Sequence, residues 1–409
     1  MSLAAASARE RVRPAQGGSR ASRTKRFDAL ALLSGLAALL AFGLTDFSLL
    51  DFSLLDFSLL GFGTGSGERS GALAIGLILI VASAIAALRQ RQSRFLFLLM
   101  ASGTVLAAAG SLASLSPDAG GRAPYAFIAA MIAVWLGAWR MVNAILAATP
   151  ERGPLRTLCN LAVPVIFGAT MLFLWEGVVR GFGVPYVILP PPSAIARRFA
   201  SSLPTLGVDF LQTLRGVAAG YLIGSGAGLL VAILIDRVPF LQRGLLPLGN
   251  LVSALPIVGI APIMVMWFGF DWPSKAAVVV VMTFFPMLVN ANAGLAAAGT
   301  MESDLMKTYA ASYAQTLTKL RLPAALPFIF NGLKINSTLA LIGAIVAEFF
   351  GTPITGMGFR INAEVGRMNI DMVWATILVA ALFGSIFYGL IALIERKATF
   401  WHPSYRQRA

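Results

Sequence analysis

The chain has 409 residues, of which 57% are hydrophobic and only 12% charged, with a formal net charge of +14. A soluble domain carries nearer a quarter charged residues and could not cover this much apolar side chain, so the composition excludes an ordinary soluble fold and points to lipid as the solvent. The arginines gather in short segments between apolar runs, which argues for inside loops of a membrane protein and against nucleic-acid binding, while one cysteine (Cys159) and one histidine (His402) argue against a disulfide, a histidine metal cluster or a serine–histidine relay.

Residues 1–27 form a basic tail with Arg9, Arg11, Arg13, Arg20, Arg23, Lys25 and Arg26, expected in the cytoplasm. A bilayer crossing needs roughly 20 apolar residues. About ten runs qualify, giving an all-α integral membrane protein, a polytopic helix bundle. Four lie at 29–46, 71–88, 95–113 and 125–147; six lie at 159–180, 208–235, 244–269, 275–297, 328–350 and 372–395. The first run is long and is not closed by a small-x-small cleavage site, so it reads as a retained span rather than a signal peptide. Asp46–Leu60 repeats Asp-Phe-Ser-Leu-Leu three times. Its carboxylates recur every five residues, fit neither a helix face nor a strand, and place it at the outer interface. The first four spans are read as free of motifs and of intramembrane charge. The breaker-rich stretch Ala148–Pro154 divides an extension at 28–150, with four spans, from a domain at 151–409, with six. Basic residues recur in every second loop, Arg89–Arg94, Arg152 with Arg156, Arg237 with Arg243, Lys307 with Lys319 and Arg321, and then Arg396 with Lys397. Both termini are therefore expected inside.

The second domain carries the patterned segments. Arg197 and Arg198 fit an interfacial helix from Ser193 to Ser202. Gly216, Gly220, Gly224 and Gly228 stand at successive i+4 positions and form one bare stripe on a helix, a surface that another backbone can approach closely. The segment at 300–325 is amphipathic and mixed in charge. Two short helices with a break near Ala310–Ser312 fit it, with Leu305, Tyr309, Tyr313 and Leu317 on one face at i+4 spacing, and with Pro323 and Pro327 ending it before the next span. It reads either as a loop on the membrane surface or as a helical elbow that docks in a partner's groove. Polar residues within spans are few. Asn290, Asn336, Ser337, Thr338 and Glu348 are the candidates for a solute pathway, and Glu348 could equally pair with an outer arginine. The sequence has no Gly-Lys dipeptide and so no Walker A phosphate loop.

The elbow resembles the cytoplasmic coupling loop of ABC importer permeases of the binding-protein-dependent family, whose pattern is Glu-Ala-Ala, three residues, Gly, nine residues, Ile-x-Leu-Pro. Anchored on Leu322-Pro323, the match runs back through Leu320, Gln315, Ser312 and Ala311; Ala310 takes the glycine position and Asp304-Leu305-Met306 takes Glu-Ala-Ala. Asp304 is a shorter acid, Met306 is larger than alanine, and Ala310 is disfavoured wherever the backbone must be left-handed. Leu189-Pro190-Pro191-Pro192-Ser193, Pro256-Ile257, Trp267-Phe268-Gly269, Gly332-Leu333-Lys334-Ile335, Ala347-Glu348-Phe349-Phe350-Gly351 and Gly356-Met357-Gly358 resemble the nitrate, sulfonate and taurine branch, which includes carriers of a thiamine-precursor pyrimidine. The resemblance covers about 159–400. It implies a type I permease core in a bacterial inner membrane, which is not itself an enzyme. The elbow would dock on ATPase subunits that hold the ATP and magnesium, with none bound by this chain. A periplasmic or lipid-anchored solute-binding protein would deliver substrate, and two permease chains, embedded in membrane lipid, would form the pathway. An ion-coupled secondary transporter is the alternative; an intramembrane enzyme lacks its paired acids, His ligands and Ser-Lys pair.

Overall fold

The structure, a computed structural model, describes residues 94–113, 125–150, 153–238, 256–351 and 354–401, with isolated positions at 37–38, 78, 80–81 and within 240–247. The basic tail, nearly all of the spans expected at 29–46 and 71–88, the five-residue repeat and the stretch 248–255 lie outside the described residues. No strand occurs among the described residues. Six helices among them are long and apolar enough to cross a membrane.

The helices are α1 (Arg94–Ala113), α2 (Tyr125–Ala148), α3 (Pro154–Gly181), α4 (Pro192–Ser201), α5 (Leu203–Arg237), α6 (Ile257–Phe268), α7 (Trp272–Ala296), α8 (Thr300–Thr308), α9 (Tyr313–Thr316), α10 (Leu322–Glu348), α11 (Met357–Gly366) and α12 (Ile370–Ala398). Four long helices, α3, α5, α7 and α10, carry proline in their first two positions. In α3, α5 and α7 the missing N–H is one that a helix start leaves unpaired anyway. The run expected at 244–269 appears, over its described part, as the 12-residue α6.

The chain divides into two compact units, Met1–Pro192 and Ser193–Ala409. In the first, α1, α2 and α3 pack through small residues: Gly137 lies against Thr104, and Gly177 against Met131 and Phe127. Arg140 is buried within α2, so the reading that the early spans hold no charge is corrected.

In the second unit α5, α7 and α10 form the central sheaf. The glycine stripe of α5 meets a matching i+4 row on α7: Gly216 faces Lys275, Gly220 faces Val279, Gly224 faces Thr283 and Gly228 faces Met287. Each knob fills the notch left by a missing side chain, so the two backbones run close along the whole seam. Helix α12 closes one side through the rings of Phe383 and Phe387 against Phe210 and Tyr221. It is also tied to α10 by the ion pair Lys334–Glu395 at 2.8 Å. Helix α4 packs by Phe199 against Leu206 and Met372, with Arg198 3.6 Å from Asp371.

Candidate functional site

Helix α8 has no buried residue; Met301 and Leu305 on it and Tyr309 at its C-cap are exposed. Asp304 is exposed and pairs with Lys307 at 2.9 Å; Met306 is half-buried. The helix ends in two bonds, from the Ala310 N–H to the Lys307 carbonyl at 2.9 Å and from the Ala311 N–H to the Met306 carbonyl at 3.0 Å. This is the Schellman pattern, which needs a left-handed residue at its turn. Ala310 supplies it with φ 52°. The glycine of the family pattern is thus replaced by an alanine that carries the strain.

Ser312 then starts the second arm with a capping box: its hydroxyl accepts from the Gln315 N–H, and the Gln315 side chain accepts from the Ser312 N–H. From Tyr313 the helix runs unbroken to Glu348. The expectation that Pro323 and Pro327 end the elbow is therefore corrected. A π-turn at Leu317–Arg321, in which the Leu322 N–H reaches the Leu317 carbonyl, widens the helix just before Pro323. That wider turn accommodates a ring that would crowd a regular α-turn. The single i+4 face is corrected as well. Leu305 and Tyr309 face out, but the break turns Leu317 and Leu322 inward onto Ile235, Leu295 and Ala325, with Tyr313 half-buried and Leu320 half-exposed beside them. One carboxylate receives the second arm: Asp236, near the end of α5, accepts from the Tyr313 hydroxyl at 3.1 Å and from the Arg321 guanidinium.

The far end of α5 holds a second polar cluster. Asp209 is fully buried and accepts from the Gly356 N–H at 2.9 Å and from Arg360 Nε at 2.7 Å. Thr213 donates to Glu348 at 2.8 Å and accepts from the Met357 N–H; Glu348 also accepts from the Gly358 N–H at 2.7 Å. Glu348 therefore binds backbone and a hydroxyl, while Arg360 pairs with Asp209 and Glu364. Gly356 has φ 136° with the Glu348 carboxylate against it, and Gly358 lies on the Ile345 carbonyl, so neither position has room for a side chain. Lys275 is buried with its ammonium on the carbonyls of Phe270 and Gly351. Asp271 caps α7 and is held below its ordinary pKa by the Trp272 amide and by Gln212.

Of the pathway candidates, Asn336 and Ser337 point into the bundle. Asn336 donates to Ser225 at 2.8 Å and to the Thr283 carbonyl at 2.7 Å; Ser337 bonds back to the Lys334 carbonyl. Thr338 is exposed, in line with Asn331, Ile335 and Ile342. Asn331 donates to Asn290 at 3.1 Å. The exposed faces of α5 and α12 carry large aliphatic residues, Leu222, Leu230 and Leu234 on the first and Leu382, Ile386 and Leu390 on the second. Asp209, Asp236, Thr213, Lys275 and Arg360 escaped the sequence reading. The available signal was an acid near each end of one long apolar helix.

The family described as "binding-protein-dependent transport system inner membrane component" matches residues 203–400. An ABC transporter permease protein of Haemophilus influenzae is 32% identical over 220 residues, 54% of this chain and 89% of that protein. The formylaminopyrimidine transport permease ThiX of Halalkalibacterium halodurans is 29% identical over 58% of this chain and 95% of its own length. The taurine transport permease TauC of Escherichia coli is 25% identical over 61% and 93%.

Proposed function

The chain belongs to the inner-membrane permeases of binding-protein-dependent ABC importers, and on that premise we propose that it carries a small polar organic solute or anion by alternating access, driven through the elbow at 300–325. The exposed apolar face of α8 supports this reading most directly. Met301 and Leu305 stand on a helix with no fully buried residue, and Tyr309 caps it. Such a face is the form taken by a helix that fits a groove in a partner. The partner is an ATPase subunit on the cytoplasmic side, where ATP and magnesium are held. A solute-binding protein delivers substrate at the opposite face, near the Asp209 cluster, and two copies of the chain enclose the pathway.

The exposed line Asn331–Ile335–Thr338–Ile342 on α10 carries an amide and a hydroxyl at membrane depth. Polar groups there turn from lipid toward a pathway. The substrate set follows the relatives: taurine or another sulfonate, nitrate, or a formylaminopyrimidine. The N-terminal basic tail and the C-terminus lie in the cytoplasm.

The test is capture of the ATPase by full-length permease in detergent. Leu305→Asp and Asp304→Arg are expected to lose at least tenfold in capture while melting like the parent, because α8 supports no core. Undiminished capture by both variants would reject the docking role. Accumulation of one candidate substrate against its gradient, only with ATP, tests the transport reading separately.

A further inference from the structure

Asp236 stands next to last in α5. A helix C-terminus disfavours a carboxylate there, so its presence needs another reason. The side chain is only 9% exposed and is occupied by the elbow. Tyr313, the first helical residue after the break, and Arg321, the last of the π-turn, both donate to Oδ2. Arg237 completes the joint, its guanidinium 5.1 Å over the Tyr313 ring. Both ends of the elbow's second arm are thus tied to one side chain of one helix.

We propose that Asp236 is a positioning residue for transport, the strut through which displacement of the elbow reaches α5; this rests on the reading of the elbow as the ATPase dock. Three observations give the strut its direction. The fold of the elbow is local, held by the Schellman turn and the capping box, so it can dock without Asp236. Helix α5 spans about 50 Å at 1.5 Å per residue, and its glycine seam from Gly216 to Gly228 locks it to α7 over about 20 Å in the middle of that length. Its far end carries Asp209, which holds Arg360 and the Gly356 backbone. A push at Asp236 therefore moves one stiff pair of helices and, with it, the corner at α11.

The experiment uses full-length permease with its ATPase in lipid vesicles. In a Cys159→Ser background, Thr338→Cys on the exposed face of α10 reports its rate of reaction with a maleimide before and after ATP with vanadate. The parent is expected to change rate on trapping. Asp236→Asn should keep the ATPase bound and hydrolysing while the rate change shrinks about tenfold, the loss of a charge-assisted bond. Tyr313→Phe, which removes one donor without altering the packing, should reduce it by a smaller factor. Exchange of the charges, Asp236→Arg with Arg321→Asp, should restore most of the response. A full response in Asp236→Asn and Tyr313→Phe overturns the strut, as does an exchange that restores nothing. Loss of the ATPase from Asp236→Asn also overturns it, because the residue would then serve assembly. Failure of the parent itself to bind the ATPase is a different result: it refutes the dock, and the strut with it.

Discussion

Replacing Gly220 by alanine puts a single methyl group into the α5–α7 seam. The new carbon would sit 2.4 Å from Val279 Cβ and 2.6 Å from the Ala276 carbonyl oxygen, against 3.4 Å for an ordinary contact, so the helices must part by roughly 1 Å. The obstacle is backbone and cannot rotate away. A gap of that size forfeits a quarter to a half of each dispersion contact along the seam, and overpacking of this kind costs about 1–3 kcal/mol. Alanine also returns about 0.5–1 kcal/mol of helix propensity. Gly226 separates the two effects, since it lies on the same helix with open space around it. Gly226→Ala should therefore melt at or above the parent, and Gly220→Ala below it, with the two variants differing by about 1–3 kcal/mol. Thermal unfolding in one detergent, followed by helix signal, measures both. If Gly220→Ala melts as high as Gly226→Ala, the seam is not packed as argued.

Three more outcomes follow from named contacts. Ala310→Gly should stabilise the elbow by up to about 1 kcal/mol, because an L-residue at φ 52° costs about 1–2 kcal/mol that glycine avoids, less its chain entropy; slower amide exchange at Ala310 to Ser312 would register it. Lys334→Met leaves Glu395 buried without its partner and should cost about 3–5 kcal/mol in melting experiments, while Lys334→Met with Glu395→Leu should recover most of it. Burial works against the charge of Glu364, but bonds from Asn369 and from Arg367 and Arg360 outweigh it and hold the carboxyl below its ordinary range. A depressed folded pKa stabilises above the unfolded value and is lost as pH falls through the folded one. The protection of amides at Arg367 to Met372, after correction for the intrinsic exchange rate at each pH, should therefore hold at neutral pH and fall as pH drops below the ordinary glutamate range, with Glu364→Gln flat across that window.

Much of the second unit could be read from the chain. Long apolar runs mark spans because lipid removes the need for polar cover, and the four-residue glycine period marks a seam because only a helix aligns it. The elbow's two arms, with a break near Ala310–Ser312, were legible from the amphipathic, mixed-charge pattern of the segment at 300–325. Its mechanics were not. Asp236 and Arg321 lie 85 positions apart, and Asp209 and Arg360 lie 151 apart, so no local pattern joins them. The π-turn that lets the helix run through Pro323 leaves no periodic trace. Glu348 shows why a lone acid at a span's end stays ambiguous: its partners are the Thr213 hydroxyl and the Gly358 backbone amide, which one sequence cannot reveal.

The side on which the elbow stands, and what covers it there, decides the account. In a Cys159→Ser background, a cysteine at Tyr309, exposed at the tip of α8, can be challenged with a membrane-impermeant maleimide in inside-out vesicles and in intact spheroplasts. Labelling is expected in the inside-out vesicles alone, with protection once the ATPase is bound. Labelling from outside the cell, or labelling that the ATPase leaves unchanged, would contradict it.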